Sequence, residues 1–121
     1  MLPGWSAQHR TRHRWAYGRQ IFENLVVAEI YKTLLHRAET PAMYFWRTSA
    51  GNKVDLVLET QSGLVLIEIK ASSTPRPDMA KEISRFSELF KGRVFASYVI
   101  HAGQQTLPLG GDVLAIPFAV L

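Results

Sequence analysis

Two alternating segments joined by a short turn constrain the fold of this chain more than any other feature. Residues 53–59 have the sequence KVDLVLE, residues 64–70 have the sequence LVLIEIK, and TQSG lies between them. A period of two in apolar and polar residues is typical of a strand that buries one face, and a short polar stretch with glycine joins such strands in a hairpin. The sequence therefore predicts two adjacent antiparallel strands.

The alternation also predicts how these two strands pair. If Glu59 lies opposite Leu64, then Asp55 lies opposite Glu68 and all the charged residues share one face. A slip of one residue would move the whole apolar set to the wrong face, so only this register or one shifted by two is expected. The charged face then holds Lys53, Asp55, Glu68 and Lys70, and the apolar face holds Val54, Leu56, Leu58, Val65, Ile67 and Ile69.

The segments on either side of this hairpin predict helices packed on a mixed sheet. A first helix is expected from about Ala16 to Arg37, where the apolar coverage is broad, and Pro41 follows its end. A strand is predicted at 42–48, a crossover helix at 78–91, and one or two further strands at 94–100 and 113–121. A meander followed by a crossover helix implies an α/β fold with a mixed sheet. The order is αβββαβ.

The composition argues against cysteine-based sites and against a membrane-spanning protein. The 121 residues include no cysteine, which excludes disulfides, zinc–thiolate sites and thiol nucleophiles. No apolar run reaches the roughly 18 to 20 residues that a membrane span needs, so we expect a cytoplasmic protein without a membrane partner. The four histidines show no ligand-like cluster beyond His9 with His13 and are expected to be solvated.

The positive charge is concentrated at one end of the chain. Every acidic residue lies at or beyond Glu23, so the formal net charge of +4 belongs to the first twenty residues. We interpret residues 1–17 as a basic arm suited to phosphate oxygens or an acidic partner, with a solvated terminus or a linker remnant as the alternative. Residues 18–121 are predicted to form one domain. The basic side chains of the arm are Arg10, Arg12 and Arg14.

The opposed carboxylates are the main candidate for a functional site. Two carboxylates directly across a strand pair destabilise it unless a positive charge lies beside them. Magnesium is commonly held by one or two carboxylates, with water and phosphate completing its shell. Lys70, two residues beyond Glu68, would then point toward an attacking water or a phosphate. The alternative is a surface quartet in which Lys53 and Lys70 merely screen the two acids.

These residues resemble a known superfamily. Asp55, twelve intervening residues and then Glu68-Ile69-Lys70, within an αβββαβ order, resemble the PD-(D/E)XK nucleases. The segments GRQIFENLVVAEIYK, YFWRTSAGNKVDLVLE, GLVLIEIKAS and LAIPFAVL are similar to an uncharacterised domain that follows an AAA+ ATPase module in many bacterial and archaeal proteins. The resemblance covers about residues 18–121 and implies a restriction-endonuclease-like fold. Val54 stands where the superfamily motif has proline.

The resemblance implies a function and a set of residues. Asp55, Glu68 and, on the first helix, Glu23 would hold Mg²⁺ or Mn²⁺, and Lys70 would be the catalytic lysine of a nuclease acting on DNA. It also implies an AAA+ ATPase module in the parent protein. The alternative is a non-catalytic module that keeps the fold for DNA docking or protein interaction. Arg47 is expected to contact phosphate or to pair with an acid.

The sequence leaves the oligomeric state open. Nuclease folds of this type often form dimers, but no self-complementary patch is visible from the sequence alone.

Overall fold

A computed structural model describes residues 7–37 and 42–121, with the side chains of the first helix described from Tyr17 onward. Six strands form one mixed sheet in the order β1-β2-β3-β4-β6-β5. The elements are α1 (Ala7–His36), β1 (Ala42–Arg47), β2 (Lys53–Thr60), β3 (Gly63–Lys70), α2 (Lys81–Leu89), β4 (Val94–His101), β5 (Leu107–Pro108) and β6 (Val113–Pro117), with 3₁₀ turns at Pro77–Ala80 and Phe118–Val120. The predicted α/β class with a mixed sheet is confirmed.

The central hairpin has the predicted register. Glu59 pairs with Leu64, Val57 with Leu66 and Leu56 with Ile67 in an antiparallel ladder. That backbone pairing ends at Leu56 and Ile67, one step before Asp55 and Glu68. The candidate acids therefore lie where the two strands separate.

The crossover predicted after the meander is also present. Strand β4 runs parallel to β3, and β6 runs parallel to β4, so α2 carries the chain back across the sheet between β3 and β4. The short β5 pairs with only two residues of β6, Leu114 and Ala115. The end of β6 at Pro117 therefore has β4 on one side and no β5 residue on the other, as expected for a proline that cannot donate to a ladder.

Each face of the sheet is covered by one helix. On the α2 face, Leu64 and Leu66 pack with Ile83 and Phe86 in one buried cluster. On the α1 face, a second cluster contains Val26 of the helix and five strand side chains: Leu56, Leu58, Ile67, Ile69 and Ile100. Further side chains of α1 pack against this cluster: Phe22, Val27, Ile30 and Leu34. Two buried layers therefore hold β3 at the centre of the sheet.

One residue lies on the opposite face from the prediction. Val54 was expected on the face of Leu56, but it belongs to the cluster on the α2 face, together with Val57. The β1–β2 pairing shifts by one residue between Tyr44 and Trp46, which pair with Val57 and Val54. Such a bulge inserts one residue and reverses the alternation of the strand before it. The charged residues of β2 and β3 therefore do not form the single flat face that strict alternation predicts.

The first helix is longer than predicted. It begins at Ala7 instead of about Ala16, so part of the predicted basic arm is helical. No proline lies between Ala7 and Pro41, and the one glycine, Gly18, costs a helix interior only about 1 kcal/mol. Among the described residues, no helix combines the length and the apolar character needed to cross a membrane.

Candidate functional site

Asp55 occupies the point where β2 and β3 diverge. Its Oδ2 accepts a hydrogen bond of 2.8 Å from the backbone N–H of Ile69, and its Oδ1 lies 3.2 Å from Nζ of Lys53. The carboxylate thus replaces the backbone acceptor that the separating strand no longer supplies to Ile69. Only 10% of the Asp55 side chain is exposed, so these contacts form in a largely desolvated setting. Both oxygens of Asp55 are engaged within the protein.

Glu68 is almost completely buried beside Asp55. It is 1% exposed, and its Oε1 has no hydrogen-bond partner among the described residues. Burial, the hydrogen bond to Asp55 and the negative charge of Asp55 outweigh the charges of Lys70 and Lys53, and together they raise the pKa of Glu68 to about 9. Glu68 therefore carries a proton at neutral pH and donates it toward Asp55.

Asp55 shows the opposite shift. Burial alone would raise its pKa, but the hydrogen bonds from Glu68 and from the N–H of Ile69, together with the charge of Lys53, outweigh that effect and lower the pKa. Two carboxyl groups in one desolvated site cannot both ionise, so they titrate as a pair. At neutral pH this pair holds one proton and one negative charge. We call Asp55 and Glu68 the acid pair.

Lys70 lies at the end of β3, two residues beyond Glu68. It is partly buried, and its backbone pairs with His101 of β4. Its positive charge acts on Glu68 by lowering the pKa of that carboxyl. The structure therefore brings Asp55, Glu68 and Lys70 to one end of the central strands, as the sequence predicted.

His101 was expected to be solvated, and this prediction is wrong. The ring is 0% exposed; the backbone N–H of Gly103 donates to Nδ1 at 3.0 Å, and Nε2 lies 2.8 Å from the carbonyl oxygen of Gln105. These partners assign the ring proton to Nε2. His101 anchors the turn after β4, next to the backbone of Lys70. A histidine at the last position of an apolar strand, two residues before a glycine, was the available signal.

Glu23 does not complete a metal site with the acid pair. It lines the same cavity as Asp55, but Glu68 is not part of that lining. Within residues 17–37 and 42–121, no three His, Asp or Glu side chains lie close enough together to hold a metal ion. The described donor set is therefore two carboxylates. That set fits Mg²⁺ or Mn²⁺, which commonly take one or two protein carboxylates, and the unpartnered Oε1 of Glu68 offers a free ligand atom.

A cavity of about 540 Å³ lies between α1 and the β1–β2 edge of the sheet. Its walls include Asp55 and Glu23 together with Lys53 and Arg47, so two cationic side chains lie in the same cavity wall as two carboxyl groups. Arg47, which was predicted to contact phosphate or to pair with an acid, therefore lies in the same cavity wall as Asp55. The side chains of Arg10, Arg12 and Arg14 lie outside the described residues.

Comparison with known proteins gives one family. The family model described as "Domain of unknown function (DUF4143)" matches residues 19–121. No curated protein and no solved structure gives a significant match to the chain.

Proposed function

This chain belongs to the DUF4143 family, and we propose that it is a nuclease-like domain of the PD-(D/E)XK type that acts on DNA phosphodiesters with a divalent cation. The observation that supports this proposal is the acid pair: a fully buried Glu68 with a raised pKa and an unpartnered oxygen, beside an ionised Asp55. If the pair had only a structural role, apolar side chains at these two positions would give a more stable fold, because buried ionisable groups cost free energy unless they are paired.

The acid pair has a proton where a cation would bind. Glu68 would lose that proton when both carboxylates act as ligands, since metal ligands must be deprotonated. A bound Mg²⁺ or Mn²⁺ supplies Lewis acidity to a phosphoryl oxygen and lowers the pKa of bound water. Lys70, which already acts on Glu68 electrostatically, would offset the negative charge that develops on phosphate.

DNA is the proposed substrate because of the charge around the site. Arg47 and Lys53 border the cavity that contains Asp55, and the net charge of +4 lies in the first twenty residues. Contacts from arginine and lysine to phosphates provide most sequence-independent affinity for DNA. In this proposal the domain works in the cytoplasm, beside an AAA+ ATPase module in a longer parent protein.

One observation favours a second candidate function. Lys53 already neutralises Oδ1 of Asp55, and the N–H of Ile69 occupies Oδ2. A site that is self-neutralised in this way suits a non-catalytic module that keeps the nuclease fold for docking to DNA or to a protein. The two candidates differ in whether a cation displaces Lys53 and the proton on Glu68.

A Mn²⁺ titration followed by a DNA cleavage assay separates the two candidates. The nuclease proposal expects Mn²⁺ binding in the wild type, loss of binding in Asp55→Asn and Glu68→Gln, and loss of cleavage with retained binding in Lys70→Met. The exposed Glu59, on the same strand as Asp55, gives the control variant Glu59→Gln, which should behave as the wild type. Intact linear, supercoiled and branched DNA at high protein concentration with bound Mn²⁺ would exclude catalysis.

A further inference from the structure

Helix α1 is apolar on two opposite sides. One side packs on the sheet through Val26 and its neighbours. The other side exposes five large apolar or aromatic side chains by 43% to 66% each: Tyr17, Ile21, Leu25, Tyr31 and Leu35. A surface helix usually has a polar outer face, and a helix that is hydrophobic all round is usually buried all round. The outer face of α1 is therefore expected to contact another protein surface.

The spacing of the outer face indicates what kind of surface that is. Six positions follow one another in steps of four, three, four, three and four residues, which is the spacing of a coiled-coil seam. We call these positions the outer seam: Tyr17, Ile21, Asn24, Ala28, Tyr31 and Leu35. Such a seam packs against another helix, because its side chains return to the same side of α1 every seven residues.

The outer seam is complementary to a second copy of itself that runs in the opposite direction. A two-fold axis through α1 at the level of Val26 would place Tyr17 against Leu35 of a second copy, and Ile21 against its Tyr31. At the centre, Asn24 would meet Ala28, so the two shortest side chains of the seam would lie where the helices cross. A two-fold axis uses the same patch on both copies, which requires this kind of internal symmetry.

We propose that the chain forms a homodimer in which two α1 helices pack antiparallel through the outer seam. The five large exposed side chains, four of them in the outer seam and Leu25 beside it, are each about half exposed, and at about 200 Å² each they present on the order of 500 Å² of apolar surface per copy. A stable interface of standard size buries about 800 Å² per partner, of which roughly 56–65% is apolar. The outer face of α1 therefore supplies the apolar area that a stable dimer needs.

Charge favours the antiparallel arrangement over the parallel one. The net charge of +4 lies in the first twenty residues, at the N-terminal end of α1. Parallel helices would bring two such segments side by side, whereas antiparallel helices separate them. Each would instead approach the C-terminal half of the other helix, where the helix dipole is negative.

The dimer would also border the cavity beside the acid pair. Asn24, Ala28 and Tyr31 belong to both the outer seam and the wall of the cavity that contains Asp55. The second copy would thus run along the outer rim of that cavity. This inference does not depend on the proposed function, since it uses only the shape, spacing and exposure of α1.

Sedimentation equilibrium of the full chain across the micromolar range tests the proposal. The wild type should have twice the 13.7 kDa mass of one chain. Ala28→Glu should lower the association constant by at least about 100-fold, because it buries two unpaired carboxylates beside the axis. Leu89→Glu is the matched control: Leu89 is 67% exposed on α2, and its substitution should leave the dimer intact. Ala28 is itself exposed, and far-ultraviolet circular dichroism checks that the variant stays folded.

Cysteine cross-linking tests the direction of the helices, because the chain has no cysteine of its own. A mixture of Tyr17→Cys and Leu35→Cys chains should form a mixed disulfide on oxidation, while Tyr17→Cys alone should remain uncrosslinked. A disulfide between two Tyr17→Cys chains would overturn the antiparallel arrangement. A monomeric wild type, or a dimer that survives Ala28→Glu, would overturn the proposal and leave the outer seam to a different partner.

Discussion

Replacing Glu68 with glutamine tests the acid pair without changing its shape. The glutamine amide can donate to Asp55 as the protonated glutamate does, but it cannot ionise. The pKa of Glu68 is about 9 in the folded protein, against an ordinary value of 4.5. A carboxyl with a raised pKa binds its proton more tightly when the chain is folded. Its contribution to stability is complete below pH 4.5 and is lost as the pH rises toward 9.

The size of the effect follows from that shift. Each pH unit between the two pKa values costs about 1.4 kcal/mol for one proton, so the free energy of unfolding should fall by on the order of 3 kcal/mol between pH 4.5 and pH 7. Glu68→Gln removes this dependence. The variant should therefore match the wild type near pH 4.5 and be more stable by on the order of 3 kcal/mol at pH 7.

Urea denaturation at several pH values, without divalent cations, measures this difference. The wild type should lose stability steadily from pH 5 to pH 8, whereas Glu68→Gln should show a much flatter profile. Glu59→Gln, on an exposed position of β2, controls for the loss of a carboxyl as such. If Glu68→Gln keeps the pH slope of the wild type, Glu68 does not hold the buried proton and the reasoning fails.

Three further predictions concern Lys53, the turn after β4 and the basic arm. Lys53→Met should raise the pKa of Asp55, because the substitution removes a cation 3.2 Å from Oδ1. Lys53→Met should also strengthen Mn²⁺ binding in a titration, because Lys53 competes with the metal ion for Asp55. An unchanged Mn²⁺ affinity would show that Lys53 does not compete. Gly103→Ala should lower the free energy of unfolding by about 1–3 kcal/mol or more in urea, since its Cβ would overlap the backbone oxygen of Ser73, and a neutral effect would contradict this packing. The third prediction replaces three arginines of the arm with alanine: Arg10, Arg12 and Arg14. When DNA binding is measured at several salt concentrations, the slope of log affinity against log salt should fall in magnitude by up to about 3. An unchanged slope would rule out the arm as a DNA contact.

The alternation of apolar and polar residues was sufficient to predict the central hairpin and the position of the acid pair. The alternation of 53–59 and 64–70 predicted the register that pairs Val57 with Leu66. The same alternation failed at Val54, because the bulge that reverses it lies in the pairing with β1. A bulge depends on how two strands meet, and the sequence of β2 alone contains no signal for it.

The electrostatics of the site could not be predicted from the sequence. Opposed carboxylates indicated a missing positive charge, but the pKa of Glu68 depends on its almost complete burial, which arises only when the strands and helices pack together. The role of Ile69 was also hidden, since its N–H needs the Asp55 carboxylate only because the strands separate there. The outer seam was missed because its residues share one helix with the sheet-facing residues, and exposure distinguishes the two sets.

Proton release on cation binding tests the central claim most directly. Isothermal titration calorimetry of Mn²⁺ at pH 7, in two buffers with different ionisation enthalpies, counts the protons displaced. The wild type should release about one proton, from Glu68, whereas Glu68→Gln, which lacks this carboxylate ligand, should show neither Mn²⁺ binding nor proton release. Binding without proton release, or equal release by both proteins, would contradict the claim that a cation replaces the proton of the acid pair.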